Sequence, residues 1–202
     1  MADVNGSSKM EGKKVQKSLT LLVEKTNKDL FKHILTPLTI TLGDEFQCLA
    51  KSDYDGILLL IGIEKKILEL NLPINLHYVL LNGEITTKID TSTSYGMLGN
   101  GLTEARKLLS SKKRDRANFQ FKLCDELKNK ELTLLFKIYH QISSKWNTKD
   151  YSLIYEMLDN KNNQVVADNH KKSRSQIWKR RKTLHIESID SVFTLAKLIS
   201  LN

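Results

Sequence analysis

The sequence predicts an α+β fold in which a sandwich of strands and helices precedes an all-helical part. Strand and helix signals alternate over residues 1–124, whereas only helical periodicity is found over residues 125–202. Two short helical segments separated by a tight turn at about residues 163–184 are typical of a helix-turn-helix unit. We therefore predict two domains, 1–124 and 125–202, with the boundary where the periodicity changes.

The first half begins with a helix over residues 13–31, where apolar side chains recur at helical spacing. A hairpin over residues 38–49 follows, with Gly43-Asp44 at its turn. Ser52 then caps a helix that runs to about residue 70. The remaining elements are two neighbouring strands at residues 74–81 and 83–89, a helix at 103–110, a solvated loop at 112–116 and a strand at 118–123.

The second half begins with one long helix over residues 125–146. Its predicted apolar side consists of Leu127, Leu134, Leu135, Ile138 and Ile142. Shorter helices are predicted at residues 148–158, 163–170, 173–184 and 188–199.

Composition limits the class of protein. The 32 Lys and Arg residues against 23 Asp and Glu residues give a net charge of +9, which favours polyanionic partners. Cys48 and Cys124 match neither a disulfide framework nor a metal spacing, so a reducing compartment is expected. The most apolar run, residues 57–63, is too short to span a bilayer, and the N-terminus lacks a signal-peptide pattern. We expect a bacterial-type cytoplasmic protein without a membrane partner.

Basic residues crowd the second helix of the helix-turn-helix segment. It begins near Ser173, whose hydroxyl can cap it, and Ile177 and Leu184 are expected to face the core. We also expect Trp178 to pack inward. On the preceding helix, Val165, Val166 and Ala167 are expected to face inward. The side chains left to contact nucleic acid are Arg174, Ser175, Gln176, Lys179, Arg180 and Lys182. Polar groups on the first turn reach base edges, and the cations neutralise phosphates.

Two other interpretations of this segment remain open. It is also compatible with a solvated basic helix that completes a bundle, or with a helix-turn-helix that binds protein. The clustering of basic residues on one helix, without interleaved acidic residues, favours nucleic acid. Helix-turn-helix proteins often read paired half-sites of DNA, which favours a homodimer.

Two acidic residues stand out in the first half. Asp3 ends a predicted first strand, and Asp44 lies at the tip of the hairpin. If these strands are neighbours, the two carboxylates come close enough to hold a divalent metal, most plausibly Mg²⁺. The small residues Gly6, Ser7 and Ser8 would let a phosphate approach the backbone. A loop cap at Asp3 and an ordinary hairpin turn at Asp44 are the simpler alternatives.

Several motifs resemble the SatD family. They are Ala-Asp-Val-Asn-Gly-Ser-Ser-Lys at residues 2–9, Val15-Gln16, Thr-Ile-Thr-Leu-Gly-Asp-Glu-Phe-Gln at 39–47 and Leu-Gly-Asn-Gly-Leu-Thr-Glu-Ala-Arg at 98–106. The resemblance spans nearly the whole chain, and Gly-Asp-Glu-Phe-Gln is its most specific part. It implies a DNA-binding or regulatory protein, with which the terminal helix-turn-helix agrees.

The same motifs are more distantly similar to the palm domain of class III nucleotide cyclases. This resemblance implies a ferredoxin-like, palm-type sandwich, with Asp3 and Asp44 at the metal positions. It also implies that Arg106 contacts phosphates. The sequence departs from the cyclase pattern at Leu102, where cyclases have an asparagine, and the strand at 74–81 carries no arginine. The first strand is also expected to be short.

These observations lead to a ranked expectation. The first is a transcriptional regulator or other DNA-binding protein of the SatD type, whose N-terminal domain senses a nucleotide or mediates dimerisation. It requires no cofactor and has no catalytic residues. The alternative is a metal-dependent nucleotide-binding or cyclase-like enzyme, degenerate at the positions above, with Asp3 and Asp44 holding Mg²⁺ and Arg106 on the phosphates. A third is an adaptor whose helical end binds another protein.

Overall fold

The computed structural model describes residues 1–111 and 117–201, and it confirms the predicted α+β class. The predicted loop at 112–116 lies outside the described residues. The strands are β1 (Ala2–Val4), β2 (Ile34–Leu42), β3 (Glu45–Ala50), β4 (Leu76–Leu81) and β5 (Phe119–Lys122). The α-helices are α1 (Gly12–Asp29), α2 (Asp53–Glu69), α3 (Asn100–Leu109), α4 (Glu126–Ser143), α5 (Tyr151–Asp159), α6 (Asn163–Asn169), α7 (Arg174–Thr183) and α8 (Ile186–Leu201).

The strands form one sheet in the order β2-β3-β1-β4-β5. The central strand β1 is antiparallel to both β3 and β4, whereas β5 is parallel to β4. The chain order β1-α1-β2-β3-α2-β4 is that of a ferredoxin-like unit. As expected, β1 is short, with three residues.

Helices cover both faces of this sheet. Because successive side chains of a strand alternate, Ala2 and Val4 lie on one face, where they join the apolar cluster formed with α1 and α2. Asp3 therefore faces the opposite side. On that side Val79 of β4 packs with Ala105 of α3. Asp3, one of the residues predicted to form a nucleotide site, thus lies on the α3 side of the sheet.

The predicted strand at residues 83–89 is wrong. Both edges of β4 are occupied by β1 and β5, so no position beside β4 is left for it. The chain turns back instead, and the backbone N–H of Thr86 donates to the carbonyl of Leu98 at 2.9 Å. Gly83 and Gly101 pass so closely that a Cβ on Gly83 would lie 2.6 Å from the Cα of Gly101. This close approach explains the glycine in the motif that precedes Arg106.

The strand β2 begins earlier than predicted, at Ile34, and runs through Pro37. It pairs only with β3 and lies at the edge of the sheet. A proline is tolerated there because an edge strand has a free side on which no ladder hydrogen bond is lost.

The helical part is joined to the sheet layer by one apolar cluster, which includes residues from Ala2 to Ala196. Helix α4 packs on β5 through aromatic rings, with the centroids of Phe119 and Phe136 4.9 Å apart and their planes tilted by 36°. The division into domains at residues 124 and 125 stays a prediction. Among the described residues, no helix is both long and apolar enough to cross a membrane.

The predicted apolar side of α4 is wrong in part. The buried residues of this helix are Leu132, Phe136 and Tyr139. Leu127, Leu134 and Ile138 are exposed, Leu127 to 62%. Helix α4 carries apolar residues on two faces, and the aromatic face is the one that meets the sheet.

Candidate functional sites

Helices α6 and α7 lie within the segment predicted to be a helix-turn-helix. They are joined by a short turn in which Lys171 has a φ of 52°, a left-handed conformation that suits a tight reversal. Val166, Ala167 and Ile177 are fully buried and hold the two helices together. Val165 is exposed, contrary to the prediction that it faces inward.

A capping box begins α7. The Ser173 hydroxyl accepts from the backbone N–H of Gln176 at 3.2 Å, and the Gln176 side-chain oxygen accepts from the backbone N–H of Ser173 at 2.8 Å. The Ser173 hydroxyl also lies 3.0 Å from that of Ser175. The first turn of α7 is therefore rigid, and Gln176, a predicted base contact, uses its amide oxygen within the helix.

Five of the six predicted contact residues are exposed: Arg174, Ser175, Gln176, Lys179 and Lys182. Arg180 is half-buried, and its guanidinium lies 2.7 Å from an Asp150 carboxylate oxygen. Lys182 pairs with Glu187 at 2.6 Å on the surface, where such pairs are weak. The structure thus brings Arg174, Ser175 and Lys179 to the surface as predicted, whereas it directs Arg180 toward the N-terminus of α5.

Arg181 is the exception among the basic residues, because it is only 8% exposed. Its guanidinium donates to the carbonyls of Met157 at 2.7 Å and Asn160 at 2.8 Å, and to the Asn163 side chain at 2.9 Å. Burial lowers the pKa of this guanidinium. Arg181 therefore anchors α7 to the segment that joins α5 and α6 and does not face a ligand.

Trp178 is 54% exposed, so the prediction that it packs inward is wrong. The inward side of α7 is already filled by Ile177, Arg181 and Leu184, which recur at helical spacing. Trp178 follows Ile177 by one residue, about 100° around the helix axis, and faces solvent. The spacing of the three inward residues is the sequence signal that identifies Trp178 as a surface residue.

The charge of this region is predominantly positive. Residues 161–182 contain eight Lys and Arg residues and one acidic residue, Asp168. The Gln164 side-chain amide donates to the Asp168 carboxylate at 2.8 Å. Since the whole chain has a net charge of +9, most of its excess positive charge lies in this segment. Its exposed part is suited to a polyanion.

Asp44 lies in the turn between β2 and β3, and Asp3 on β1 is opposite Glu45, the residue that follows Asp44. The backbone N–H of Val4 donates to the carbonyl of Asp44 at 3.0 Å, which places the hairpin next to the end of β1. The Ser7 hydroxyl donates to the Asp44 carboxylate at 2.5 Å. The Asp3 carboxylate lies 3.4 Å from the His77 imidazole, a neighbour that sequence analysis missed.

These residues fit a metal only in part. Within residues 1–111 and 117–201, no group of three or more His, Cys, Asp or Glu side chains is arranged to hold one. Mg²⁺ is often bound by one or two carboxylates together with water and substrate phosphates. A Mg²⁺ ion held by Asp3 and Asp44 would therefore take its remaining ligands from water or phosphate oxygens.

Arg106 of α3 points to the same face of the sheet. One of its guanidinium nitrogens lies 3.4 Å from Glu45 and 3.5 Å from the Gln47 side-chain oxygen, both on β3. Glu45 also accepts from the Thr41 hydroxyl at 2.8 Å and is opposite Asp3 in the strand register. The guanidinium is half exposed. Arg106 thus remains accessible to an anion on the face of the sheet that carries Asp3.

A cavity of about 310 Å³ lies between β3, β4, α2 and α3. Its walls are mainly apolar, with Leu60, Ile63, Leu81 and Leu102 among them, and include none of Asp3, Asp44 and Arg106. The cavity also borders Ala2 and Ala105, the chain neighbours of Asp3 and Arg106.

Comparison with known families gives a match over most of the chain. The model of the SatD family matches residues 2–188, which include the sheet, α1 to α7 and the start of α8. Neither a search of curated proteins nor a search of solved structures returns a significant match.

Proposed function

The chain belongs to the SatD family, and from this premise we propose that it is a DNA-binding regulatory protein that contacts duplex DNA through α7. The observation that carries the proposal is the exposed side of α7, which presents Arg174, Lys179 and Lys182 on a helix whose other side is packed in the core. Such a helix is suited to the major groove. The proposal includes a cytoplasmic location and a role in transcription.

The two sides of α7 have separate tasks in this proposal. The inner side, with Ile177 and Arg181, fixes the helix on α5 and α6. On the outer side, Arg174 and Ser175 lie in the first turn, where side chains reach base edges, and Lys179 follows one turn later, where it reaches a phosphate. Because the capping box holds the first turn, little conformational entropy is lost on binding.

Binding to random-sequence duplex DNA at 50 and 200 mM salt tests the proposal. We expect affinity to fall by at least about tenfold between the two concentrations, because each neutralised phosphate releases counterions. The double variant Arg174→Ala/Lys179→Ala is expected to bind more weakly. Its salt slope, the slope of log affinity against log salt concentration, is expected to be smaller. Lys13→Ala/Lys17→Ala on α1 removes the same charge from another exposed surface and serves as the control. Equal losses in both double variants would contradict a role for α7.

We also propose that the protein acts as a homodimer through α4 and α8. These helices pack against each other, and their exposed apolar residues are Leu127, Leu134, Ile138, Leu195, Leu198 and Leu201. Exposed apolar residues concentrated on two adjoining helices are typical of an interface. A second copy is the occupant that suits a helix-turn-helix protein, because two-fold symmetry lets two copies of α7 read paired half-sites.

A second candidate function is binding of a nucleotide with Mg²⁺ at the α3 side of the sheet. It is supported by Asp3 on the same face of the sheet as Glu45, which Arg106 contacts, and by the Asp44 carboxylate in the adjoining turn. When bound, Mg²⁺ would neutralise phosphate charge. Arg106 would hold a phosphate oxygen, and the aspartates would orient the ion. We propose binding without turnover, because Leu102 stands where cyclases have an asparagine.

Thermal unfolding with Mg²⁺ and ATP or GTP tests this second candidate. A rise in Tm is expected for the native chain and for Ser7→Ala, which keeps the Asp44 carboxylate but removes its hydrogen bond. Asp44→Asn is expected to lose the rise. A native chain whose Tm does not respond to either nucleotide would exclude the site for these ligands.

A further inference from the structure

The exposed side of α7 carries one large aromatic side chain among its cations. Arg174 precedes Trp178 by four residues and Lys182 follows it by four, so the three side chains form a single ridge along the helix. The chain has two tryptophans, and they differ in their surroundings. Trp146 is half-buried and donates to the carbonyl of Leu184 at 3.2 Å, whereas Trp178 is 54% exposed.

An exposed indole at the centre of this ridge adds nothing to a purely electrostatic surface, because it carries no charge. Lysine or arginine at this position would add charge, and any polar residue would avoid exposing an apolar ring to water. The indole offers contact area and shape, which are useful where the ligand has an apolar feature of its own. Because the neighbouring cations attract phosphates, the apolar group that the indole contacts is expected to lie close to phosphates of the same ligand.

In duplex DNA the faces of the bases are covered by stacking, so a side chain on a helix in the major groove meets only base edges. The apolar group on those edges is the 5-methyl of thymine. We propose that Trp178 is a specificity-determining residue that packs against a thymine methyl group, between a base edge reached by Arg174 and a phosphate held by Lys182. This inference rests on the proposed binding of duplex DNA by α7 and adds the base that is read.

Deoxyuridine provides the test, because it keeps the hydrogen bonds of thymine and lacks only the methyl group. A preferred duplex is first selected with the native protein from a random pool, and each thymine is then replaced singly. Removal of one buried methyl is expected to weaken native binding about three- to fivefold at one position. Trp178→Ala is expected to bind the thymine and deoxyuridine duplexes equally at that position, as a double-mutant cycle requires for two groups in contact.

Lys179→Ala is the matched variant on the same helix. It is expected to weaken binding to both duplexes and to keep the full effect of the methyl group, because it contacts a phosphate. Trp178→Phe, which retains an aromatic ring, is expected to keep part of the effect. Circular dichroism of each variant checks that α7 is still folded.

Two results would overturn the inference. One is salt-dependent native binding that no deoxyuridine substitution weakens, and the other is an undiminished methyl effect in Trp178→Ala. Either result leaves the proposed DNA binding intact, because the salt dependence is measured separately. A native chain without salt-dependent affinity for duplex DNA would remove both the proposed function and this inference.

Discussion

The hydroxyl of Tyr139 donates a hydrogen bond of 2.7 Å to the carboxyl group of Glu64, and so joins α4 to α2. The hydroxyl of Tyr78 on β4 donates to the other carboxyl oxygen at 2.5 Å. Burial raises the pKa of Glu64, although both hydrogen bonds lower it. A single carboxyl group thus links the sheet, its main helix and the first helix of the C-terminal part.

Glu64 makes stability depend on pH. Because its pKa is raised in the folded protein, the folded state binds this proton more tightly than the unfolded state does. The resulting stabilisation is fully present below the ordinary pKa of 4.5 and is lost as pH rises through the folded pKa. We expect the free energy of unfolding of the native chain to fall relative to Glu64→Gln over this range, as measured by urea unfolding at a series of pH values. If the free energy of unfolding changes with pH in the same way in both chains, Glu64 is not the source of the pH dependence. Glu24→Gln, at an exposed position, is the control.

Arg181 is expected to stabilise the helix-turn-helix without contacting DNA. Arg181→Met removes three hydrogen bonds and leaves the buried carbonyl of Met157 and the half-buried carbonyl of Asn160 without this donor, so a loss of about 2–4 kcal/mol in the free energy of unfolding is expected. Lys182→Met, on the exposed side, is expected to change stability little. At a temperature where the variant is folded, the salt slope of DNA binding should equal that of the native chain. A reduced slope would instead make Arg181 a phosphate contact.

Arg180 and Lys179 are adjacent, but we expect them to contribute differently to the salt dependence of DNA binding. Lys179→Ala should reduce the salt slope by about 0.9, the value for one phosphate contact. Arg180→Ala should reduce it less, because the guanidinium is paired with Asp150 at 2.7 Å. Asp150→Asn removes that partner and should raise affinity for DNA at low salt. An unchanged affinity in Asp150→Asn would show that the ion pair does not compete with DNA.

The dimer proposed above has a direct test. Leu134→Glu/Leu198→Glu places a charge on each of the two exposed apolar stripes of α4 and α8, where desolvating it in an interface is costly. Sedimentation velocity is expected to show a dimer for the native chain and a monomer for this variant. Leu42→Glu, an exposed leucine at the end of β2, is the control and should remain dimeric. A native chain that sediments as a monomer at all concentrations would exclude the interface.

Much of the local structure could be predicted from residues close in sequence. The Ser52 cap begins α2, the Gly43-Asp44 turn lies between β2 and β3, and Ser173 caps α7. Each depends on hydrogen bonds or turn preferences within a few residues. The sequence also indicated that the Gly43-Asp44 turn would come near Asp3 if the hairpin and β1 were neighbours, and Asp3 is opposite Glu45, the residue after this turn.

Errors arose where a segment had more than one possible partner. Residues 83–89 have strand propensity but no edge of β4 to pair with. Helix α4 has two apolar faces, and periodicity does not tell which one meets the sheet. Trp178 is apolar, yet the inward positions of α7 were already taken by Ile177, Arg181 and Leu184.

The amino-acid sequence by itself determined the α+β class, the order of most helices and strands, the family resemblance and the concentration of basic residues at 161–182, because these depend on periodicity, capping and composition. Only the tertiary structure decided that Arg181 is buried while Arg174 and Lys179 are exposed, and that Glu64 lies between Tyr78 and Tyr139. These outcomes depend on which surfaces meet across long stretches of chain. Packing and the hydrogen bonds of buried groups select one arrangement among several that the local sequence allows.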